Sequence, residues 1–231
     1  MKNILITGAS GLIGASISNY LASNHNIIKS DISISESIVY LDVTDSQNIA
    51  EVFAKYQFDT VIHCAYPKSA NFNKDFLLTT FEDFNENLNI QLGGSFNILR
   101  EACKKFSQQK SGNIILVGSV SGIMNPRFDT YEGLGFTTPI SYTCVKASIV
   151  SMAKYAAKYM AGKNVRVNVI SPSGIFDNQN EIFVERYKTY CLNKGLLNVE
   201  DLNGALEFLV SDSSTFINGQ NIVIDDGFTL H

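Results

Sequence analysis

The chain is poor in the residues that build metal centres and disulfide frames. Its four cysteines, Cys64, Cys103, Cys144 and Cys191, lie far apart and never form a C-x-x-C pair. Its three histidines, His25, His63 and His231, make no ligand set. A zinc site is therefore not expected, and the cysteines read as reduced thiols. Apolar runs are no longer than a strand, so no segment is expected to span a bilayer. Positive charge is also short: a net charge of −4 offers no footprint for nucleic acid or for an acidic membrane surface. The first apolar strand begins by Ile4, which leaves no room for the basic and apolar regions of a signal peptide, and the expected compartment is the cytoplasm. Internal repeats, low-complexity tracts and Pro/Gly-rich linkers are missing too. All 231 residues, 45% hydrophobic and 17% charged, read as one globular domain, 1–231.

What is present is alternation. Short apolar, β-branched runs at 3–7, 26–30, 38–42, 60–64, 113–118, 166–171 and 221–224 predict about seven strands. Helical periodicity begins near Leu12, Ser46, Phe81, Tyr142 and Asp201. The strands do not alternate cleanly between apolar and polar, as expected when helices cover both faces of a sheet. The predicted fold class is α/β, a single-domain, doubly wound parallel sheet of the Rossmann type.

The segment Thr7-Gly8-Ala9-Ser10-Gly11-Leu12-Ile13-Gly14 follows the first strand. Gly8 and Gly11 let the backbone turn tightly and approach a pyrophosphate, while Gly14 lets the first helix pack on the sheet. Phosphates then meet free N–H groups at the helix N-terminus, with Ser10, Leu12 and Ile13 in the same turn. A ribose-binding acid is due about 20 residues further on, and Asp31 stands 17 residues after Gly14. A carboxylate there accepts from both ribose hydroxyls and repels a 2′-phosphate, which favours NAD(H). Lys29 softens that discrimination, so NADP(H) stays open. Asp42 is read either as a ligand of the adenine amino group or as a turn acid before Ser46. Val43 and Ala65 complete the expected cradle.

Tyr142 and Lys146 stand one helical turn apart. Hydride transfer to a carbonyl builds negative charge on oxygen, so a proton donor must lie within reach. A free tyrosine, with a pKa of about 10, is a poor acid–base partner near neutrality. An ammonium one turn away favours the phenolate, and bringing the phenol close to neutrality takes roughly 4 kcal/mol, within reach of one close charge in a dry site. The two features together point to a nicotinamide-dependent oxidoreductase. The helix after Tyr142 is apolar around most of its circumference, which predicts burial on more than one side, with one face on the sheet and the other against a partner subunit.

In these segments the chain resembles the short-chain dehydrogenase/reductase family over essentially its full length. The resemblance implies that Ser119, in Val117-Gly118-Ser119-Val120-Ser121-Gly122, orients the substrate oxygen, with Ser121 as the alternative. It implies Tyr142 as the acid–base and Lys146 as the residue that tunes it and holds the nicotinamide ribose. Arg166-Val167-Asn168 and Pro172-Ser173-Gly174-Ile175 match the stretch that holds the nicotinamide carboxamide, making Pro172 and Ile175 cofactor contacts. Residues 219–227 match the family's last strand and exit loop.

The chain also departs from the common family pattern. Gly8-x-x-Gly11-x-x-Gly14 resembles the longer, nucleotide-sugar-modifying members, as does His63-Cys64-Ala65-Tyr66, where Asn-Asn-Ala-Gly is usual. His63 is read as a packed histidine or a catalytic one. The family's relay asparagine has no clean counterpart, with Gln91 and Asn89 both candidates. Ser119 and Tyr142 are 23 residues apart, more than is common, and the extra length forms an insertion at 124–139. Its Arg127, Tyr131 and Glu132 are candidates for binding a polar substrate, or for a subunit contact. Asp177, where many members have a threonine, is a further substrate candidate. The region 177–200 is expected to cover the site as a lid, helical over 178–194, with Phe183, Tyr187 and Tyr190 as packing or as substrate platforms. The motifs at 131–133, 174–177 and 187–195 resemble flagellin-modification oxidoreductases of bacterial surface-sugar pathways. That resemblance implies a small-molecule substrate, a sugar or nucleotide-linked sugar. Two other readings stand beside it: an NAD-retaining sugar epimerase or dehydratase, against which the short C-terminal region counts, and a non-enzymatic dinucleotide sensor, against which the intact Ser119, Tyr142 and Lys146 count.

Overall fold

The computed structural model describes residues 1–230; His231 lies outside the described residues. Its seven strands form one parallel sheet in the order β3-β2-β1-β4-β5-β6-β7. They are β1 (Asn3–Thr7), β2 (Asn26–Asp31), β3 (Val39–Tyr40), β4 (Thr60–His63), β5 (Gly112–Val117), β6 (Val165–Pro172) and β7 (Asn221–Ile224). The α-helices are α1 (Leu12–Leu21), α2 (Ser46–Lys55), α3 (Phe81–Asn87), α4 (Gly93–Gln109), α5 (Ile140–Tyr159), α6 (Glu181–Lys188) and α7 (Asn203–Val210).

The unalternating strands are explained by two cores. In β1, Leu5 points into one and Ile4 and Ile6 into the other, all three fully buried. Residues Ile114 and Leu116 of β5 share the first core with α2, α4 and α5; Ile115 and Val117 share the second with α1 and α7. Each such aliphatic side chain contributes about 1.5–3 kcal/mol on burial, so the sheet needs a layer on both faces. The strand order reverses between β1 and β4, and the crevice at their C-terminal ends is where such sheets take ligands.

Several elements differ from the sequence expectation for local reasons. The helix expected from Phe81 does start there, with a Thr80–Asp83 capping box, but it widens into a π turn at Leu88–Leu92 before continuing as α4. The helix of Tyr142 begins two residues earlier, at Ile140, because Pro139 forms its N-cap. The helix of the 178–194 region is confined to Glu181–Lys188, capped by the Asn180 side chain. Beyond it, residues 193–195 turn to bind Asp226. β3 is reduced to two residues.

Candidate active site

One cavity of about 1120 Å³ runs along the C-terminal ends of the strands. Its cofactor end is made by the β1–α1 turn. Gly8 has φ +68, and a Cβ there would lie 2.6 Å from the Ala65 backbone. Gly14 sits so close to the turn that a Cβ would fall 2.1 Å from the Gly8 carbonyl. Gly11 is the α1 N-cap, with no side-chain cap and no acid in the first turn, so the positive end of the helix is left for an anion. Asp31 is held at the rim by the backbone N–H groups of Ser10 and Ser33, each at 3.0 Å. These features fit a dinucleotide: a bare helix N-terminus for the pyrophosphate and a fixed carboxylate for the ribose. Asp42 spends one oxygen on the Thr44 N–H and hydroxyl, which makes it a turn acid, while Asp45 caps α2. Asp42 still lines the cavity with Val43 and Ala65.

At the centre stand Ser119, Tyr142 and Lys146. Ser119 follows β5 and caps the next turn, its Oγ accepting from the Ser121 N–H at 3.1 Å. Burial pushes the Tyr142 phenol above its ordinary pKa, and its hydrogen bond with Ser119 pulls the other way. The Lys146 ammonium donates to the Val117 carbonyl at 2.8 Å and lies 5.6 Å from the centre of the Tyr142 ring. Burial pulls Lys146 down to about 8. Desolvation, not the neighbouring ammonium, therefore dominates the phenol in this state of the protein.

His63 is satisfied on both sides. Ser95 Oγ donates its single proton to the Gln91 carbonyl at 2.8 Å, so His63 Nε2–H must donate to Ser95 Oγ, at 3.0 Å. Nδ1 then accepts from the Thr7 hydroxyl at 2.7 Å. Burial, reinforced by Lys146, pulls its pKa down to about 3, so it stays neutral. This is the packed histidine of the two sequence readings. Gln91 is buried whereas Asn89 is exposed.

The substrate end is built from aromatic rings. Tyr131 and Phe136 of the insertion meet Phe183 of α6 at 5.2 and 5.8 Å, and Tyr187 stacks on Phe228 at 4.2 Å. The Tyr187 hydroxyl accepts from the Gly174 N–H at 2.7 Å. The insertion and α6 are tied together: Arg186 donates to the Glu132 carbonyl at 2.6 Å, and Tyr190 donates to the Asp129 carboxylate. Arg127 lies over the Tyr190 ring at 4.6 Å and lines the cavity, as do Tyr131 and Asp177. Glu132 is the exception among the candidates, exposed and outside the cavity lining. Pro172 and Ile175 line the cavity, but Arg166 and Asn168 turn away and bind the backbone of Ser214 and Ile217. Sequence reasoning passed over Tyr66, Lys68 and Phe72, which wall the centre beside Tyr142. The one available signal was Tyr66, standing where a glycine is usual.

A doubly wound sheet with a serine, tyrosine and lysine at its switch point defines an NAD(P)-dependent dehydrogenase/reductase, and the chain belongs to the short-chain dehydrogenase/reductase family. Residues 12–229 match the family model described as enoyl-(acyl carrier protein) reductase. The chain is similar to post-translational flagellin modification protein A of Campylobacter coli, 33% identical over 99% of this chain and 98% of that one. It is also similar to the 3-oxoacyl-(acyl-carrier-protein) reductase FabG of Thermotoga maritima, at 30% identity over 99% and 98%. Among solved structures, a short-chain dehydrogenase from Leptospira borgpetersenii with bound NAD+ superposes with a TM-score of 0.89, at 32% identity, over 99% of this chain and 92% of that one. Among the described residues, no helix is long and apolar enough to cross a membrane.

Proposed function

We propose that the chain is an NAD(H)-dependent oxidoreductase acting on an alcohol or carbonyl group of a sugar or nucleotide-linked sugar that feeds bacterial surface-glycan or flagellin modification. The observation that carries the reading is the convergence of Ser119, Tyr142 and Lys146 on the cavity whose far end holds Asp31. A nicotinamide held in this cavity would supply or accept the hydride. Ser119 donates to the substrate oxygen and positions it. In reduction Tyr142 gives that oxygen its proton; in oxidation its phenolate takes the proton back. Lys146 holds the nicotinamide ribose hydroxyls and keeps positive charge near the phenol. Asp31 accepts from the adenosine ribose and disfavours NADP(H). The sugar reading is supported by the similarity to the Campylobacter protein. Arg127, Tyr131 and Asp177 are the groups we assign to the substrate. Tyr155 and Tyr159, stacked 6.3 Å apart on the exposed face of α5, support association of that helix with a second copy in a homodimer or homotetramer. The four unpaired thiols suit a reducing cytoplasm.

The test is titration of the purified protein with NADH and NADPH, followed by a screen of sugars and nucleotide sugars with the tighter cofactor. NADH binding at least tenfold tighter, about 1.4 kcal/mol, together with turnover of a sugar, supports the reading. NADPH preference overturns the role of Asp31. Cofactor that copurifies and never turns over net points instead to an epimerase or dehydratase.

A further inference from the structure

The catalytic lysine of this chain is boxed in by a residue with no role so far. Tyr66 follows β4 and turns its ring into the centre of the site. The Lys146 ammonium lies over that ring at 5.0 Å, nearer than it lies to the ring of Tyr142. The Tyr66 and Tyr142 rings meet edge to face at 5.5 Å, and Phe72 closes the triangle at 5.8 and 6.5 Å. Among the described residues no carboxylate forms an ion pair with Lys146. Its surroundings are His63 and Cys64 at the end of β4, Tyr66 beyond them, and Tyr142 on its own helix, with Lys68 over the Tyr66 ring at 5.7 Å. None of these offers a neutralising charge: His63 is neutral and Cys64, raised by burial to about 12, stays a thiol. A buried ammonium then depends on the Val117 carbonyl and on the negative face of an aromatic ring.

The hydroxyl of Tyr66 is buried. Asn87 Nδ2 donates to the Asp83 carbonyl, so Asn87 Oδ1 is the acceptor that takes Gln91 Nε2 at 3.3 Å. Gln91 lies beside the Tyr66 phenol and pulls its pKa down, against burial, which raises it. Neither the Tyr66 hydroxyl nor Gln91 Oε1 has a hydrogen-bond partner. Burial pushes the Tyr66 phenol far above its ordinary value, so it remains a neutral donor.

We propose that Tyr66 is a positioning residue of the reaction: its ring face holds the Lys146 ammonium beside Tyr142, and packing against the Tyr142 and Phe72 rings keeps that ring in place. The inference rests on the proposed function only in taking Lys146 and Tyr142 as the reacting pair. Tyr66 acts through Lys146, so its loss shows in the titration of that amine and in kcat.

The test compares Tyr66→Phe, which keeps the ring, with Tyr66→Leu, which keeps the site apolar and removes the ring. Labelling of Lys146 by acetic anhydride, followed by mass spectrometry across pH, reads the amine directly and needs no substrate. NADH binding reports that each variant is folded. The expected result is a Lys146 midpoint unchanged in Tyr66→Phe and moved to lower pH in Tyr66→Leu. With a substrate found, the alkaline limb of kcat moves the same way, and kcat in Tyr66→Leu falls about tenfold with KM nearly constant. Should Tyr66→Leu not fold, Tyr66→Met fills the space without a ring and gives the same two readings. An unchanged midpoint in the ringless variant, or a change confined to KM, overturns the proposal and leaves Tyr66 as a pocket wall. If no sugar is turned over, the proposed function fails while the labelling still decides the role of Tyr66.

Discussion

The two ends of the cavity are built on opposite principles. At the cofactor end the surface is backbone: the turn Gly8–Gly14, the bare N-terminus of α1, and one carboxylate held by two N–H groups. At the substrate end it is side chain: Tyr131, Phe136, Phe183, Tyr187 and Phe228, contributed by three segments distant in sequence. The first end inherits the rigidity of the sheet, because β1 and β4 fix where Gly8 and Ala65 lie. The second is fastened by a few contacts, among them Arg186 to Glu132 and Tyr190 to Asp129. Backbone sites admit one ligand shape and fail abruptly; ring-walled sites held by surface contacts change gradually.

The sharpest way to separate the two ends is to remove the chemistry between them. Tyr142→Phe should lower kcat by about 10²–10⁴-fold while NADH affinity, set at the far end, changes little; stopped assays alongside a fluorescence titration read both. Gly14→Ala attacks the backbone end, since its Cβ would meet the Gly8 carbonyl at 2.1 Å. It should cost about 1–3 kcal/mol of stability and most of the cofactor affinity, seen by thermal melts with and without NADH. Asp31→Asn tests the carboxylate alone, and the preference for NADH over NADPH should shrink about tenfold, ~1.4 kcal/mol. At the other end, Arg186→Ala removes the donor to Glu132 and should loosen the packing of α6 on the insertion by about 0.5–1.5 kcal/mol. That change is expected as a raised KM and faster proteolysis within 177–200, with NADH affinity unchanged. If Arg186→Ala weakens NADH as much as Asp31→Asn does, the ends are not independent.

The smallest effect is a pH dependence of the turn at residues 193–195. Asp226 accepts from the N–H of Gly195, the Asn193 amide and the N–H of Lys194, which together hold its carboxyl down to about 2. A carboxyl held below its unfolded value stabilises the folded state above that value and loses the contribution as pH falls through the folded one. Hydrogen exchange in residues 189–196 should therefore quicken between about pH 4 and pH 2, and an Asp226→Asn variant should show no such step.

The same contrast explains what was legible in the sequence. β1 and β7 end where the apolar runs end, and Gly8, Gly11, Gly14 and Asp31 lie around the turn as their spacing implies, because backbone geometry is written locally. Glu132 looked like a substrate ligand beside Arg127 and Tyr131, yet the insertion's fold directs it outward and uses its carbonyl for Arg186. Which way a loop side chain faces depends on what it packs against, and here that is a helix some 50 residues away. The helix α6 is shorter than the periodicity of 178–194 suggests because Asp226, supplied by the other end of the chain, captures residues 193–195. Tyr66 was visible as a departure, but its meaning lies in its neighbours Lys146, Tyr142 and Gln91, which only the fold brings together.

The run from Thr7 through His63 and Ser95 to the Gln91 carbonyl has a polarity set by counting protons: each member donates once, in one direction. Exchanging any single member leaves a donor facing a donor or an acceptor facing an acceptor, whereas exchanging several together restores the sequence of gives and takes. Positions 7, 63 and 95 should therefore drift together among related chains, and a laboratory attempt to restore the family's usual asparagine at His63 should succeed only when its neighbours are changed in the same step.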